Sequence, residues 1–346
     1  MRETSLTAAP LSWTPDGLSE ALEIAVDRIR RAKRVLVVAH ERPDGDAVAS
    51  TSAAAIICRA LGARVQLFNV DEVPDALAFL PLVSEINAVA PTQRPDVTIA
   101  LDFGWRSRAG AAFPEIGWGS HTIVIDHHPV LEEGFGDIHV HDPDAASTTE
   151  LVYRLCVAAG VPLTPELATC LFAGLHTDTG SFRYACTSAG TFELGAQLLR
   201  TGIDTWSISS ALYENESLAR TRLLGYVLST VCVSDCGRLS TFRLDNETLE
   251  RFGATTEDAS GLVKYARAIR GVEVAAQLTS GHDGLTHVSL RSRGAIDVSR
   301  VAVHFGGGGH RNAAAFTSGC EASEIERGLI EALTLVIDEA PTEAPE

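Results

Sequence analysis

Arg34-Val-Leu-Val-Val-Ala-His40-Glu-Arg-Pro-Asp44-Gly-Asp46 is a short β-branched run that stops at a histidine and then turns, through a proline and a glycine, toward two aspartates. An uninterrupted apolar run of this length reads as a strand buried on both faces, the habit of parallel sheets. The residues after it, 44–61, are alanine-rich and helix-like and are closed by Gly62. The segment therefore predicts strand, turn and helix, with an imidazole and two carboxylates on the turn. The same grammar extends outward. Apolar residues recur at helical spacing over 18–31, and strand-like runs follow at 64–70, 96–101 and 121–125, the last two ending at Asp102 and Asp126. Residues 147–159, 165–176, 188–201 and 203–212 read as helices, with Pro165 suited to a first turn. In an open α/β sheet ligands collect beyond the carboxyl ends of the strands, which is where these polar residues fall.

From about residue 229 the pattern changes. Strand-like runs flank Asp235-Cys236-Gly237, and runs at 272–279 and 286–291 flank Gly281-His-Asp-Gly284, which predicts two hairpins. Helices are expected at 258–269, 297–303 and 321–337. The expected architecture is thus an α/β protein: an N-terminal parallel-sheet domain with flanking helices over 17–213, a helical linker over 214–228, and a smaller α+β domain over 229–340, with the active site in the cleft between them. A length of 346 residues is ample for two cores.

Composition bounds the function. The formal net charge of −17 opposes an extended polyanion, so long nucleic acid is excluded as a substrate and a short phosphorylated one is favoured. Arg267, Arg270, Arg291, Arg293, Arg300 and Arg311 nevertheless make 264–311 locally basic. The seven cysteines are odd in number and scattered, and read as reduced packing residues of a cytoplasmic protein. Residues 1–17 read as a loose leader and not a signal peptide, and no run of about 18 apolar residues offers a membrane span.

The chemistry is concentrated in three clusters, His40-x-x-x-Asp44-Gly-Asp46, Asp126-His127-His128 and His176-Thr-Asp178-Thr-Gly180, together with Asp102. They hold more carboxylate and imidazole groups than one cation can use, the inventory of a two-metal phosphoryl-transfer site. Each has a plainer reading. Asp44 or Asp46 could cap the following helix, Asp102 could cap a loop, and the Asp126 cluster could be a solvated turn. An Asp at the end of a helix, as Asp178 is, opposes the helix dipole unless a cation compensates. Further on, Phe305-Gly-Gly-Gly-Gly-His310-Arg-Asn-Ala-Ala-Ala315 reads either as an anion nest of exposed backbone N–H groups or as a flexible surface loop, and Ser289-Leu-Arg291-Ser-Arg293 either as phosphate donors or as an exposed basic strand end.

In order and spacing, His40, Asp44, Asp46, Asp102, Asp126-His127-His128, Asp178 and the 306–315 segment resemble the DHH/DHHA1 phosphoesterases over nearly the whole chain. Within that family they look like the branch of nano-RNases that also dephosphorylate 3′-phosphoadenosine 5′-phosphate (pAp). The resemblance implies two Mn2+ ions, or other divalent cations: one held by His40, Asp44 and Asp102, the other by Asp46, Asp102, His127 and Asp178, with Asp102 bridging. It implies that His128 contacts the scissile phosphate, and that Arg291, Arg293, Gly307, Gly308, Gly309 and His310 grip the substrate. The implied reactions are hydrolysis of short oligoribonucleotides to 5′-mononucleotides, of pAp to AMP, and of cyclic di-AMP, by a homodimer. Ala315 departs from the glycine many relatives carry there. The rival readings are a family II inorganic pyrophosphatase, whose substrate domain has no counterpart here, and a non-catalytic nucleotide sensor. A RecJ-like processive exonuclease would need a larger, more basic chain.

Overall fold

A computed structural model describes residues 16–129, 131–281, 284–294 and 296–339, and the chain divides into two compact units, Met1–Asn215 and Glu216–Glu346. The first unit runs α1 (Asp16–Arg31), β1 (Arg34–Ala39), α2 (Gly45–Ala60), β2 (Arg64–Phe68), β3 (Val97–Leu101), β4 (His121–Asp126), β5 (Ile138–His141), α3 (Thr148–Ala159), α4 (Pro165–Asp178), α5 (Ala189–Leu199) and α6 (Thr205–Tyr213). Its five strands are all parallel, in the order β2-β1-β3-β4-β5. The order reverses between β1 and β3, and their carboxyl ends carry His40 and Asp102. A crevice at such a reversal is the usual ligand position of doubly wound sheets.

Period-two geometry explains why the strands read as unbroken apolar runs. Val35 and Val37 of β1, Ile99 of β3 and Ile123 and Ile125 of β4 pack with α1 to α4 in the larger core, while Leu36, Val38, Ala100 and Val124 face an aromatic core with Phe68, Phe103 and Phe135. The expected flanking helices cover the first of these faces, and irregular segments with short 3-10 turns between β3 and β5 cover the second. Phe113 and Trp118 (ring centroids 4.5 Å apart) supply the apolar cover a helix would otherwise give. The strand β5, too short and too histidine-rich to read from sequence, forms by pairing with β4.

The second unit contains α7 (Leu218–Thr230), β6 (Cys232–Val233), β7 (Leu239–Leu244), α8 (Asn246–Phe252), α9 (Thr256–Ala259), α10 (Val263–Arg267), β8 (Val274–Ser280), β9 (Thr286–Ser292), α11 (Ser299–His304), β10 (Gly308–His310), β11 (Ala313–Ser318) and α12 (Ala322–Glu339). Its six-stranded sheet, β10-β11-β9-β8-β7-β6, is antiparallel except for the β7–β8 pair. Both hairpins form as expected. Leu223 and Val227 of α7 are buried in a core of this unit. The single helix expected over 258–269 is instead two, α9 and α10, because Gly261 takes a positive φ of 73° between them. In the segment read either as an anion nest or as a flexible loop, Gly308–His310 is an ordered edge strand paired with β11.

No helix among the described residues is long and apolar enough to cross a membrane. All seven cysteines are free. Cys58, Cys156 and Cys170 are buried packing residues as expected, whereas Cys186, Cys232, Cys236 and Cys320 are exposed.

Candidate metal centre

Four loci separated by up to 138 positions meet at the carboxyl edge of the first sheet. His40 follows β1, Asp102 follows β3, Asp126 ends β4 with His127 and His128 beyond it, and Asp178 ends α4. Their ligand atoms form three groups, each within 4.8 Å: His40, Asp44 and Asp102; Asp46, His127 and Asp178; and Asp102, His127 and His128. Asp102 and His127 each belong to two groups, which joins them into one centre.

The two oxygens of Asp102 look in different directions. Oδ2 lies 3.5 Å from His40 Nε2, while Oδ1 lies 3.7 Å from His127 Nε2 and 3.8 Å from His128 Nδ1. Asp102 is 3% exposed and has a φ of +66°, a left-handed conformation that Asp and Asn tolerate better than most residues. His127 Nε2 lies 3.1 Å from Asp178 Oδ2. Each imidazole is oriented by what its other nitrogen does: His40 Nδ1 donates to Glu41 O at 2.7 Å, and His127 Nδ1 donates to Ala145 O at 3.2 Å, so Nε2 is the atom presented to the centre in both. His128 differs, because its Nδ1 donates to the fully buried Asp126 at 2.7 Å.

Asp44 caps a helix and also stands in one of the ligand groups. Its Oδ1 accepts from the backbone N–H groups of Asp46 and Ala47, each at 3.1 Å, and so caps α2, while lying 3.9 Å from His40 Nε2. Asp46 does not cap its own helix. It is fully buried and accepts from Thr148 N (2.6 Å) and Thr149 N (3.1 Å), the first free N–H groups of α3. Nothing in the sequence singles out these threonines beyond the run Ser147-Thr-Thr, three hydroxyl residues where one cap would serve. Gly174 of α4 completes the pocket: a Cβ there would stand 2.5 Å from Asp46 Oδ1 and 2.4 Å from Thr149 Cγ2.

His176 leaves the inventory. It stacks on Phe172 at 5.3 Å, approaches Ser209 Oγ with Nε2 at 3.1 Å and lies edge-on to Tyr213, in an aromatic cluster away from the other ligands.

Electrostatics fit a cationic occupant. Burial, and then the facing carboxylates of Asp178 and Asp102, push the Asp46 carboxyl well above its ordinary range, and burial followed by the Asp102 charge also raises Asp178. Burial would raise Asp102 too, but the hydrogen bond from His40 and the charges of His127, His128 and His40 hold it at about 2. Burial would lower His127, yet the Asp178 hydrogen bond and three carboxylate charges lift it to about 10. Like charges crowded with imidazoles in a buried site are a donor set that divalent cations satisfy, and mixed nitrogen and oxygen donors suit a first-row ion.

In the second unit, Arg291 of β9 stands between Ala275 of β8 and Ala313 of β11. It is half-buried, donates to Leu290 O at 2.9 Å and has no ion pair with a carboxylate among the described residues. Burial and the charge of Arg267 lower its pKa. Arg293 is exposed just past the strand. Gly307 and Gly309 have steric reasons to be glycine, since a Cβ would stand 2.2 Å from Ala315 O and 2.5 Å from Ala314 Cα respectively. Gly308 has neither a crowding neighbour nor a positive φ. The side chain of His310 lies outside the described residues.

Residues 34–175 match the DHH family N-terminal domain, and residues 231–337 match the DHHA1 domain. The chain is 33% identical to the bifunctional oligoribonuclease and PAP phosphatase NrnA of Thermus thermophilus over 301 residues, 86% of this chain and 89% of that protein. It is 30% identical over 261 residues to the cyclic-di-AMP phosphodiesterase GdpP of Geobacillus thermodenitrificans, covering 73% of this chain but 37% of that protein. The crystal structure of an exopolyphosphatase-related protein from Bacteroides fragilis superposes with a TM-score of 0.85 at 28% identity, covering 92% of this chain and 98% of that one.

Proposed function

The chain belongs to the DHH/DHHA1 family of phosphoesterases, and on that basis we propose that it hydrolyses short oligoribonucleotides to 5′-mononucleotides, pAp to AMP, and cyclic di-AMP, using two Mn2+ ions. The observation that carries this reading is the arrangement of Asp102, whose two oxygens face two separate ligand groups, as suits a carboxylate that bridges two cations. The named activities of the relatives in Thermus and Geobacillus support the substrate class. Exposed free thiols suit a reducing compartment, and we place the protein in the cytoplasm.

His40, Asp44 and Asp102 would hold one ion and Asp46, Asp102, His127 and Asp178 the other. Bound there, the pair would lower the pKa of a water and offset charge gathering on the phosphate. The chain's own part is orientation. His128, tethered through Nδ1 to Asp126, addresses the scissile phosphate, while Arg291, Arg293, the backbone of Gly307, Gly308 and Gly309, and His310 hold the substrate away from the reacting bond. Arg291→Ala should leave cation binding intact and act chiefly through KM, with kcat/KM falling about 10- to 100-fold for the loss of one charge-assisted hydrogen bond. Bis-p-nitrophenyl phosphate, which lacks distal groups, should be indifferent to the change; an equal loss on it would put Arg291 in the chemical step.

Cation binding should also be proton-linked. The carboxylates around His127 raise its pKa to about 10, so at neutral pH its imidazole holds a proton that a cation must displace. Mn2+ affinity should therefore rise with pH as His127 loses that proton, and calorimetry in buffers of different ionisation enthalpy should register net proton release at pH 7. Proton-neutral binding at that pH would contradict the ligand assignment.

The decisive assay incubates the protein and Mn2+ with di- to decanucleotides, pAp, cyclic di-AMP and pyrophosphate. The expected result is turnover of the nucleotides, falling sharply beyond about five residues because an acidic chain with a local cationic patch makes few phosphate contacts. Equal rates on a dinucleotide and a long single strand, or turnover of pyrophosphate alone, would overturn the reading.

A further inference from the structure

One short segment, residues 142–149, touches three of the groups that form the centre. The Ala145 carbonyl receives His127 Nδ1–H at 3.2 Å, the Thr148 and Thr149 N–H groups hold Asp46, and the Thr148 hydroxyl donates to Asp102 Oδ1 at 2.8 Å. Thr148 thus grips two carboxylates at once, Asp46 through its backbone and Asp102 through its side chain. We propose that Thr148 is the positioning residue that sets the separation and rotation of these two carboxylates, and with them the spacing of the two cation positions. The inference rests on the two-cation reading given above.

The physical need is specific. The terminal torsion of an aspartate is broad and roughly two-fold, so nothing intrinsic to Asp102 keeps one oxygen toward His40 and the other toward His127. A carboxylate only accepts, so the Thr148 hydroxyl must donate, and a donor on Oδ1 pins the rotation while leaving a further acceptor direction on that oxygen. Asp46 is pinned differently, by two adjacent N–H groups at a helix start, which binds both of its oxygens. Because Thr148 takes part in both restraints, the placements of the two carboxylates are coupled through it. The segment is itself clamped: buried Arg154 bonds Asp142 at 2.7 Å and Glu150 at 2.5 Å, and the other oxygen of Glu150 accepts from Ala146 N at 3.0 Å.

The test is Thr148→Val, which removes the hydroxyl at nearly constant volume, beside Thr148→Ser, which restores it. Equilibrium dialysis with Mn2+ gives stoichiometry and affinity without turnover, and steady-state kinetics on a dinucleotide gives kcat and KM. Thr148→Val should weaken at least one of two Mn2+ binding events and lower kcat by about 10- to 100-fold, the usual cost of losing a partner that orients a ligand, with KM little changed. Thr148→Ser should recover most of both. The positioning role is overturned if Thr148→Val matches the wild type in Mn2+ affinity and kcat, or if Thr148→Ser is as impaired as Thr148→Val, which would make the residue's shape and not its hydroxyl the relevant property. Should Thr148→Val fail to fold, Thr148→Ser and Thr148→Cys decide in its place, since a thiol is a weak donor and should behave as the valine was expected to. A wild-type protein that binds no divalent cation would instead refute the underlying two-cation reading.

Discussion

Asp102→Asn is expected to reduce Mn2+-dependent turnover by about three orders of magnitude or more while leaving the fold in place. The substitution keeps volume and suits the backbone, because asparagine accepts the left-handed φ of +66° that position 102 adopts, and its amide oxygen can still receive the Thr148 hydroxyl. What it removes is the charge between two ligand groups, and what it adds is an amide N–H2 that must point at one of them. Circular dichroism and the melting temperature should stay close to wild type, with two-ion stoichiometry lost in dialysis. Near-normal turnover in this variant would sink the bridging assignment.

The second large effect concerns stability. Arg154 is 4% exposed and lies between Asp142 and Glu150, themselves 8% and 3% exposed. Such a buried triad adds little compared with an apolar packing of the same volume, but deleting its cation strands two carboxylates in the interior. Arg154→Ala should cost about 3–5 kcal/mol and lower the melting transition of the first unit by roughly 10 °C. It should also loosen the segment that carries Thr148, so Mn2+ affinity should fall in the protein that remains folded. Arg154→Met, which fills the space but not the charge, should be nearly as harmful. A melting temperature within a degree or two of wild type for both variants would show that the carboxylates are protonated or hydrated without the arginine.

Much of this was legible from local pattern. Unbroken apolar runs ending in polar residues predicted parallel strands, and residue type at their carboxyl ends predicted a cation centre. Both signals are local: a strand buried on two faces must be apolar throughout, and a ligand must carry a nitrogen or oxygen donor whatever its surroundings. The family resemblance rests on the same positions, and the similarity to the Thermus protein over 86% of this chain bears it out. The rest depended on direction. His176 and Asp178 are two residues apart on α4, which places their side chains on different faces, so one joins an aromatic cluster and the other the centre. The glycine run read as a nest or a flexible loop, and the close backbone approach that glycine licenses at Gly307 and Gly309 is that of β11 of the same sheet. Asp46 and Thr148 stand 102 positions apart, and Asp102 and Thr148 stand 46 apart. The sequence by itself determined most of the strands and helices of the first unit and which side chains can bind a cation, because those follow from periodicity and donor chemistry. Only the tertiary structure decided which donors converge and what holds them, because a hydrogen bond between distant segments depends on how α2, α3 and α4 pack, and helix packing leaves no periodic trace in any one segment.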